Sequence, residues 1–234
     1  ILVCLVGSEM CIRDRCKAPF NFSHVMDGKK TLKEIIVEAP HGVKLVPGAS
    51  GIQNLAALNK SQTAAIISAF SEIESEIDFL IVDMAAGLSD SVMTFLCACQ
   101  KRYIVVKNEP SSIADAYATI KVMLQDFNLN NISLIPNGVI SQKDGVRLSK
   151  NINTVIKNFL GGNVDYLHSI TFDEMILRAT KASKCLLDYA PSSNATRDFK
   201  ELAKIITSQD SASALSGGLQ FFVERMTMNQ ARVG

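Results

Sequence analysis

From residue 42 onward, short apolar runs alternate with longer stretches of helical period. The runs are Val43-Lys-Leu-Val46, Phe79-Leu-Ile-Val82, Tyr103-Ile-Val-Val106, Ile132-Ser-Leu-Ile135 and Val164-Asp-Tyr-Leu167. Their starts lie about thirty residues apart, the length of a strand–helix–strand crossover. Between them, Ile66, Phe70, Ile73 and Ile77 predict one helix face, and Ile113, Tyr117, Ile120 and Leu124 a second. Ile152, Val155, Ile156 and Phe159 predict a third, and Phe199, Leu202, Ala203 and Ile206 a fourth. The second helix is expected to open at Ser112-Ile-Ala-Asp115, the spacing of a capping box. Pro110-Ser-Ser112 and Pro191-Ser-Ser-Asn194 mark helix starts. Strands that are apolar on both sides and separated by helices mean a mainly parallel sheet flanked by helices on both faces. The fold class is α/β.

Both ends depart from this pattern. Ile1-Leu-Val-Cys-Leu-Val6 is apolar but short for a signal peptide and lacks a basic leader. Gly7-Ser-Glu-Met-Cys-Ile-Arg-Asp-Arg15, which follows, has neither helical nor strand period and resembles translated sequencing-adapter read-through. Residues 1–16 are therefore read as a non-native leader, with a genuine short strand and loop as the alternative. Residues 17–207 form the domain proper, and 208–218, small and polar, a flexible linker. Residues 219–228 follow as an amphipathic helix on which Leu219, Phe222, Val223 and Met226 share one face. That stripe is expected to lie in a membrane interface or to dock on the protein's own surface.

Composition narrows the function. The chain has 234 residues, 47% hydrophobic and 20% charged, which excludes a disordered chain. Its 24 Lys and Arg against 23 Asp and Glu leave a net charge of +1, so direct nucleic-acid binding is not expected. No apolar run approaches the roughly 20 residues that span a bilayer. The six cysteines and three histidines show no paired metal spacing, and Cys97 and Cys99 point to different sides of a helix. The expected compartment is the reducing cytoplasm, with peripheral contact at the inner face of the cell membrane.

Ligands of doubly wound sheets bind beyond the carboxyl ends of the strands, so polar residues there come first. Phe79-Leu-Ile-Val-Asp83 is an apolar strand ending in a carboxylate, the arrangement that supports the magnesium of a bound nucleotide. Gly87, four residues on, lets the backbone approach a terminal phosphate. The alternative for both is a strand ending in an ordinary turn. Asn137 closes Ile132-Ser-Leu-Ile-Pro-Asn137 at the same edge, and its amide can read an adenine edge, although Asn137-Gly138 is equally good turn chemistry. Asp83 and Asn137 are expected to line one crevice. No G-x-x-x-x-G-K-[ST] occurs; Gly28-Lys-Lys-Thr31 resembles its end, but Ser23 stands at the first glycine position. His24, His41 and His168 have no neighbours that suggest a catalytic set.

Asn21-Phe-Ser-His-Val25, Leu45-Val-Pro-Gly-Ala-Ser-Gly51, Ile81-Val-Asp-Met-Ala-Ala-Gly87, Asn108-Glu-Pro-Ser-Ser-Ile-Ala-Asp-Ala-Tyr-Ala118 and Phe221-Phe-Val-Glu-Arg225 together form a known pattern. From about Asn21 to Met226 the chain resembles the MinD/ParA-type P-loop ATPases, in their flagellar number regulator (FlhG/FleN) subgroup. The resemblance implies ATP and Mg2+ as cofactors. It implies that Asp83 supports magnesium, through water, and orients the attacking water. It implies that Gly87 senses the terminal phosphate, Asn137 reads adenine and Pro191 walls the base. Met84 stands where relatives carry Thr or Ser, and Lys107-Asn108 where Thr-Pro is more usual. The family's first strands and lysine-bearing loop are missing, so the chain is expected to be an amino-terminally truncated fragment with weak or absent nucleotide binding and no hydrolysis. Implied partners are a second copy in the ATP state, the flagellar signal-recognition-type GTPase, a flagellar transcription activator and switch-ring proteins. The alternative is a nucleotide-free regulatory module that binds flagellar or transcriptional partners through its helices.

Overall fold

A computed structural model describes residues 2–4, 19–47, 69, 73, 77–84, 87–88 and 90–211. The chain divides into two compact units, residues 1–99 with 217–234 and residues 100–216.

The first unit contains β1 (Leu2–Cys4), α1 (Phe22–Met26), α2 (Leu32–Ile35), β2 (Val37–Glu38), a 3-10 turn at Pro40–Gly42, β3 (Lys44–Pro47), β4 (Ile81–Asp83) and α3 (Asp90–Ala98). Its sheet runs β2-β3-β1-β4, with β1 parallel to both β3 and β4 and only β2 antiparallel. Leu2–Cys4 is thus a strand, opposite Leu45–Pro47 on one side and Ile81–Asp83 on the other.

Helices as short as α1 and α2 are marginal alone and exist here through caps and packing. Asn21 accepts the Ser23 amide at 3.1 Å, while Thr31 and Glu34 cap each other's backbone across the first turn of α2. Gly28-Lys-Lys-Thr31, the stretch that resembles the end of a phosphate loop, therefore serves a helix start. There Lys30 pairs with Glu34 at 2.8 Å, and these contacts draw the Glu34 carboxyl down to about 2. Phe22, Leu32, Ile35, Val46, Ile73 and Phe95 form the buried core. Of the first predicted helix face, Ile73 is buried and Ile77 packs against this core; Ile66 and Phe70 lie outside the described residues.

The second unit contains β5 (Arg102–Val106), α4 (Pro110–Gln125), β6 (Ile132–Val139), α5 (Gln142–Leu160), β7 (Asp165–Tyr166), β8 (Ile170–Thr171), α6 (Glu174–Lys181), α7 (Leu186–Tyr189) and α8 (Asn194–Ser211). Strand β6 pairs in parallel with β5, β7 and β8. Strand–helix alternation thus yields parallel pairing, as expected of crossover units.

The helix stripes are rotated from the predicted ones. Helix α4 starts at Pro110 behind Glu109, two residues before the predicted capping box, and Ser112 instead accepts the Lys107 amide at 3.0 Å. It buries Ala116, Ile120 and Met123, with Ile113, Tyr117 and Leu124 half-buried at the margins. Helix α5 buries Gly145, Leu148, Ser149, Ile152 and Ile156; Val155 and Phe159 face solvent, because the buried line follows steps of four from 148. On α8 the core side is Ala195, Leu202, Ile205 and Ile206, and Phe199 and Ala203 are exposed. This helix persists to Ser211, past the predicted linker start at 208, with Thr207 and Ser208 hydroxyls bonded back to Ala203 and Ile205 carbonyls. The tail residues Leu219, Phe222, Val223 and Met226 lie outside the described residues.

Candidate functional site

Each unit presents its predicted polar residues at the carboxyl end of a parallel strand. In the first, β4 ends at Asp83, which is half-buried and registers with Cys4 of β1. Apolar Val82 and Met84 on either side pack against the core, which fixes the strand end and leaves Asp83 as its polar terminus. Gly87 follows with φ 125°, a backbone region that side chains rarely adopt. A Cβ added there would meet no described residue within 4 Å. A carboxylate at a strand end beside a bare backbone turn fits a phosphate carrying a hard cation, since magnesium asks for one or two carboxylates plus phosphate and water. Among the described residues no group of three or more His, Cys, Asp or Glu could hold a metal by itself.

In the second unit, Asn137 sits near the end of β6, opposite Ile170 of β8. The register shifts between Asn137 and Val139, with Gly138 at φ 69° between them. Such an irregularity re-aims the side chain beside it. The Asn137 amide is half-buried and makes no hydrogen bond to another described residue. An amide with one acceptor and two donors left unused at a strand end fits the donor–acceptor edge of adenine. Pro191 is exposed in the turn that leads into α8.

Sequence reasoning missed the polar cluster that surrounds this strand end. Asp198 Oδ2 accepts the Thr171 amide at 2.8 Å and its hydroxyl at 2.5 Å, and Asp198 Oδ1 accepts Gln142 Nε2 at 2.9 Å. Gln142 Nε2 also donates to the Ser169 carbonyl at 2.9 Å, and Tyr166 hydroxyl donates to Gln142 Oε1 at 3.0 Å. His168 Nε2 lies 3.7 Å from Asp198 Oδ1. The partners are separated by up to 56 residues, so no local pattern marks them. His24, by contrast, joins the cap of α1, its ring 2.9 Å from Asn21 Oδ1.

Comparison with known proteins places the chain in a family. No family model matches the chain. The antiactivator FleN of Pseudomonas aeruginosa is 35% identical over 207 residues, covering 88% of this chain and 74% of FleN. The flagellum site-determining protein YlxH of Helicobacter pylori is 29% identical over 210 residues, covering 88% of this chain and 71% of YlxH. Among solved structures, MinD of Aquifex aeolicus superposes with a TM-score of 0.66 at 17% identity, covering 88% of this chain and 83% of MinD. MinD of Pyrococcus horikoshii, solved with Mg-ADP, gives 0.64 at 18% identity, covering 92% and 86%. The solved structures establish the fold, and FleN, more than a third identical over most of both chains, establishes the family. The chain belongs to the flagellar number regulator subgroup of the MinD/ParA-type ATPases.

Proposed function

We propose that this chain carries the magnesium-supporting and adenine-reading parts of a MinD-type ATPase that regulates flagellar number and placement. Asp83 holds magnesium through water and orients the attacking water, and Gly87 gives its amide to the terminal phosphate. Asn137 reads the adenine edge, and Pro191 walls the base. The observation that carries this reading is the parallel strand β4 ending in half-buried Asp83, followed by Gly87 at φ 125°. Names in the comparisons agree with it: FleN is an antiactivator, YlxH determines the flagellar site, and P. horikoshii MinD was solved with Mg-ADP.

ATP association of two copies would expose a surface for flagellar partners: the signal-recognition-type GTPase, a transcription activator and switch-ring proteins. Hydrolysis would reset it, and nucleotide must favour the dimer for this to work. The protein then acts in the cytoplasm, with the stripe of Leu219, Phe222, Val223 and Met226 as its membrane or self-docking contact.

The 234 residues hold no G-x-x-x-x-G-K-[ST]. Loop amides and a lysine supply much of the electrostatic stabilisation of a transferring phosphoryl group, and losing one such donor costs about 10²-fold or more. The 234-residue chain is therefore expected not to hydrolyse ATP. Phosphate release from Mg-ATP is the test, with Asp83→Ala as the control. Magnesium-dependent turnover abolished by that substitution would overturn the reading.

A further inference from the structure

Strand β8 pairs on one side with β6. A strand edge carries backbone amides that need partners, and here the Thr171 amide goes to a carboxylate on α8 instead of another strand. The same Asp198 oxygen takes the Thr171 hydroxyl, while the other oxygen takes Gln142 from the start of α5. Thr171 stands opposite Val139, and the next amide, Phe172, donates to the Val139 carbonyl at 2.8 Å. Val139 lies immediately beyond the register shift at Asn137 and Gly138. A single carboxylate on α8 thus fixes β8, which fixes the irregular end of β6 that presents Asn137. Gln142, three residues after Val139, is pinned by the same carboxylate and by Tyr166, so the chain leaving β6 is held from its other side as well.

We propose that Asp198 is a positioning residue for base recognition: through Thr171 and Gln142 it holds the β6 bulge in the conformation in which the Asn137 amide meets adenine. The inference rests on the adenine-reading role proposed for Asn137. A half-buried carboxylate satisfied by three donors from two elements holds a rigid geometry, because loss of any oxygen leaves donors unpaired. A recognition amide depends on such support, since hydrogen-bond selectivity decays quickly with misplacement.

The test is an NMR titration of the full 234-residue chain with AMP and with GMP, following the Asn137 side-chain amide. Asp198→Ala and Thr171→Val are compared with the unaltered chain. All four tyrosines of the protein, Tyr103, Tyr117, Tyr166 and Tyr189, lie in the second unit and there is no tryptophan, so tyrosine fluorescence reports whether that unit is folded. The unaltered chain is expected to bind both nucleotides weakly and to prefer AMP. Asp198→Ala is expected to weaken AMP about tenfold while GMP changes little, so that the preference collapses. Thr171→Val, which removes one donor and keeps the side-chain shape, is expected to lose part of the preference, and it decides the matter if Asp198→Ala does not fold. AMP preference retained in the folded variants overturns the inference, as does an equal loss for both nucleotides, the mark of a merely structural role. No preference in the unaltered chain overturns the adenine reading itself, before any variant is considered.

Discussion

At the residue scale, two side chains packed close to one helix backbone explain a choice that helix propensity would not make. Gly145 lies in the first turns of α5, where alanine would gain about 1 kcal/mol. A Cβ there would collide with Ser169 Oγ, lie 2.8 Å from Ser169 Cβ and 3.3 Å from Pro136 Cβ. Ser169 is fully buried and its hydroxyl contacts Tyr166 at 3.1 Å, so it has nowhere to retreat. Overpacking of this kind costs about 1–3 kcal/mol. Gly145→Ala is therefore expected to lower the urea midpoint of the tyrosine-reported transition, with little change in slope. A midpoint unchanged or raised would show that the β7–β8 connection yields easily. Asp83 and Asn137 were legible as residues because each ends an apolar run in a polar group. The partners of Asp198 were not, because hydrogen bonds across 27 and 56 residues leave no periodic trace.

At the element scale, one carboxylate ties two helix starts together. Asp173 caps α6, accepting the Met175 amide at 2.9 Å, and its other oxygen takes the Ala195 amide of α8 at 3.2 Å. Those amides, Met175 first and Ala195 second, hold its carboxyl below the ordinary 3.8. Because the folded value lies below the unfolded one, the stabilisation is complete above pH 3.8 and is lost as pH falls through the lowered folded value. Asp173→Ala is expected to cost about 1–2 kcal/mol near neutral pH, as a lost cap does, and progressively less in acid. Urea midpoints at neutral and acid pH check this; a penalty that stays constant into acid contradicts it. The elements themselves were legible from period and punctuation, since Pro110 opens α4 and the Pro191 turn leads into α8. Stripe orientation was not. On α5 the apolar Val155 and Phe159 are exposed while Gly145 and Ser149 are buried, because the helix packs closely on β6 and β7 and at Gly145 leaves room only for Ser169 and Pro136.

At the scale of the whole molecule, two units each bring a parallel strand end to a polar residue, Asp83 in one and Asn137 in the other. Alternating strands and helices made the α/β class readable, and the family resemblance supplied the role proposed for each strand end. The central claim is that the end of β6, with Asn137, serves an adenine base, and the ratio of AMP to GMP affinity of the unaltered chain tests it most directly. Adenine offers a donor beside an acceptor, matching both halves of a free asparagine amide, whereas guanine's carbonyl and ring nitrogen are both acceptors. Two hydrogen bonds of about 1 kcal/mol each correspond to a preference of at least about tenfold for AMP. Asn137→Asp, which removes the amide donor, is expected to abolish that preference. Equal affinities, or a preference for GMP in the unaltered chain, would contradict the account.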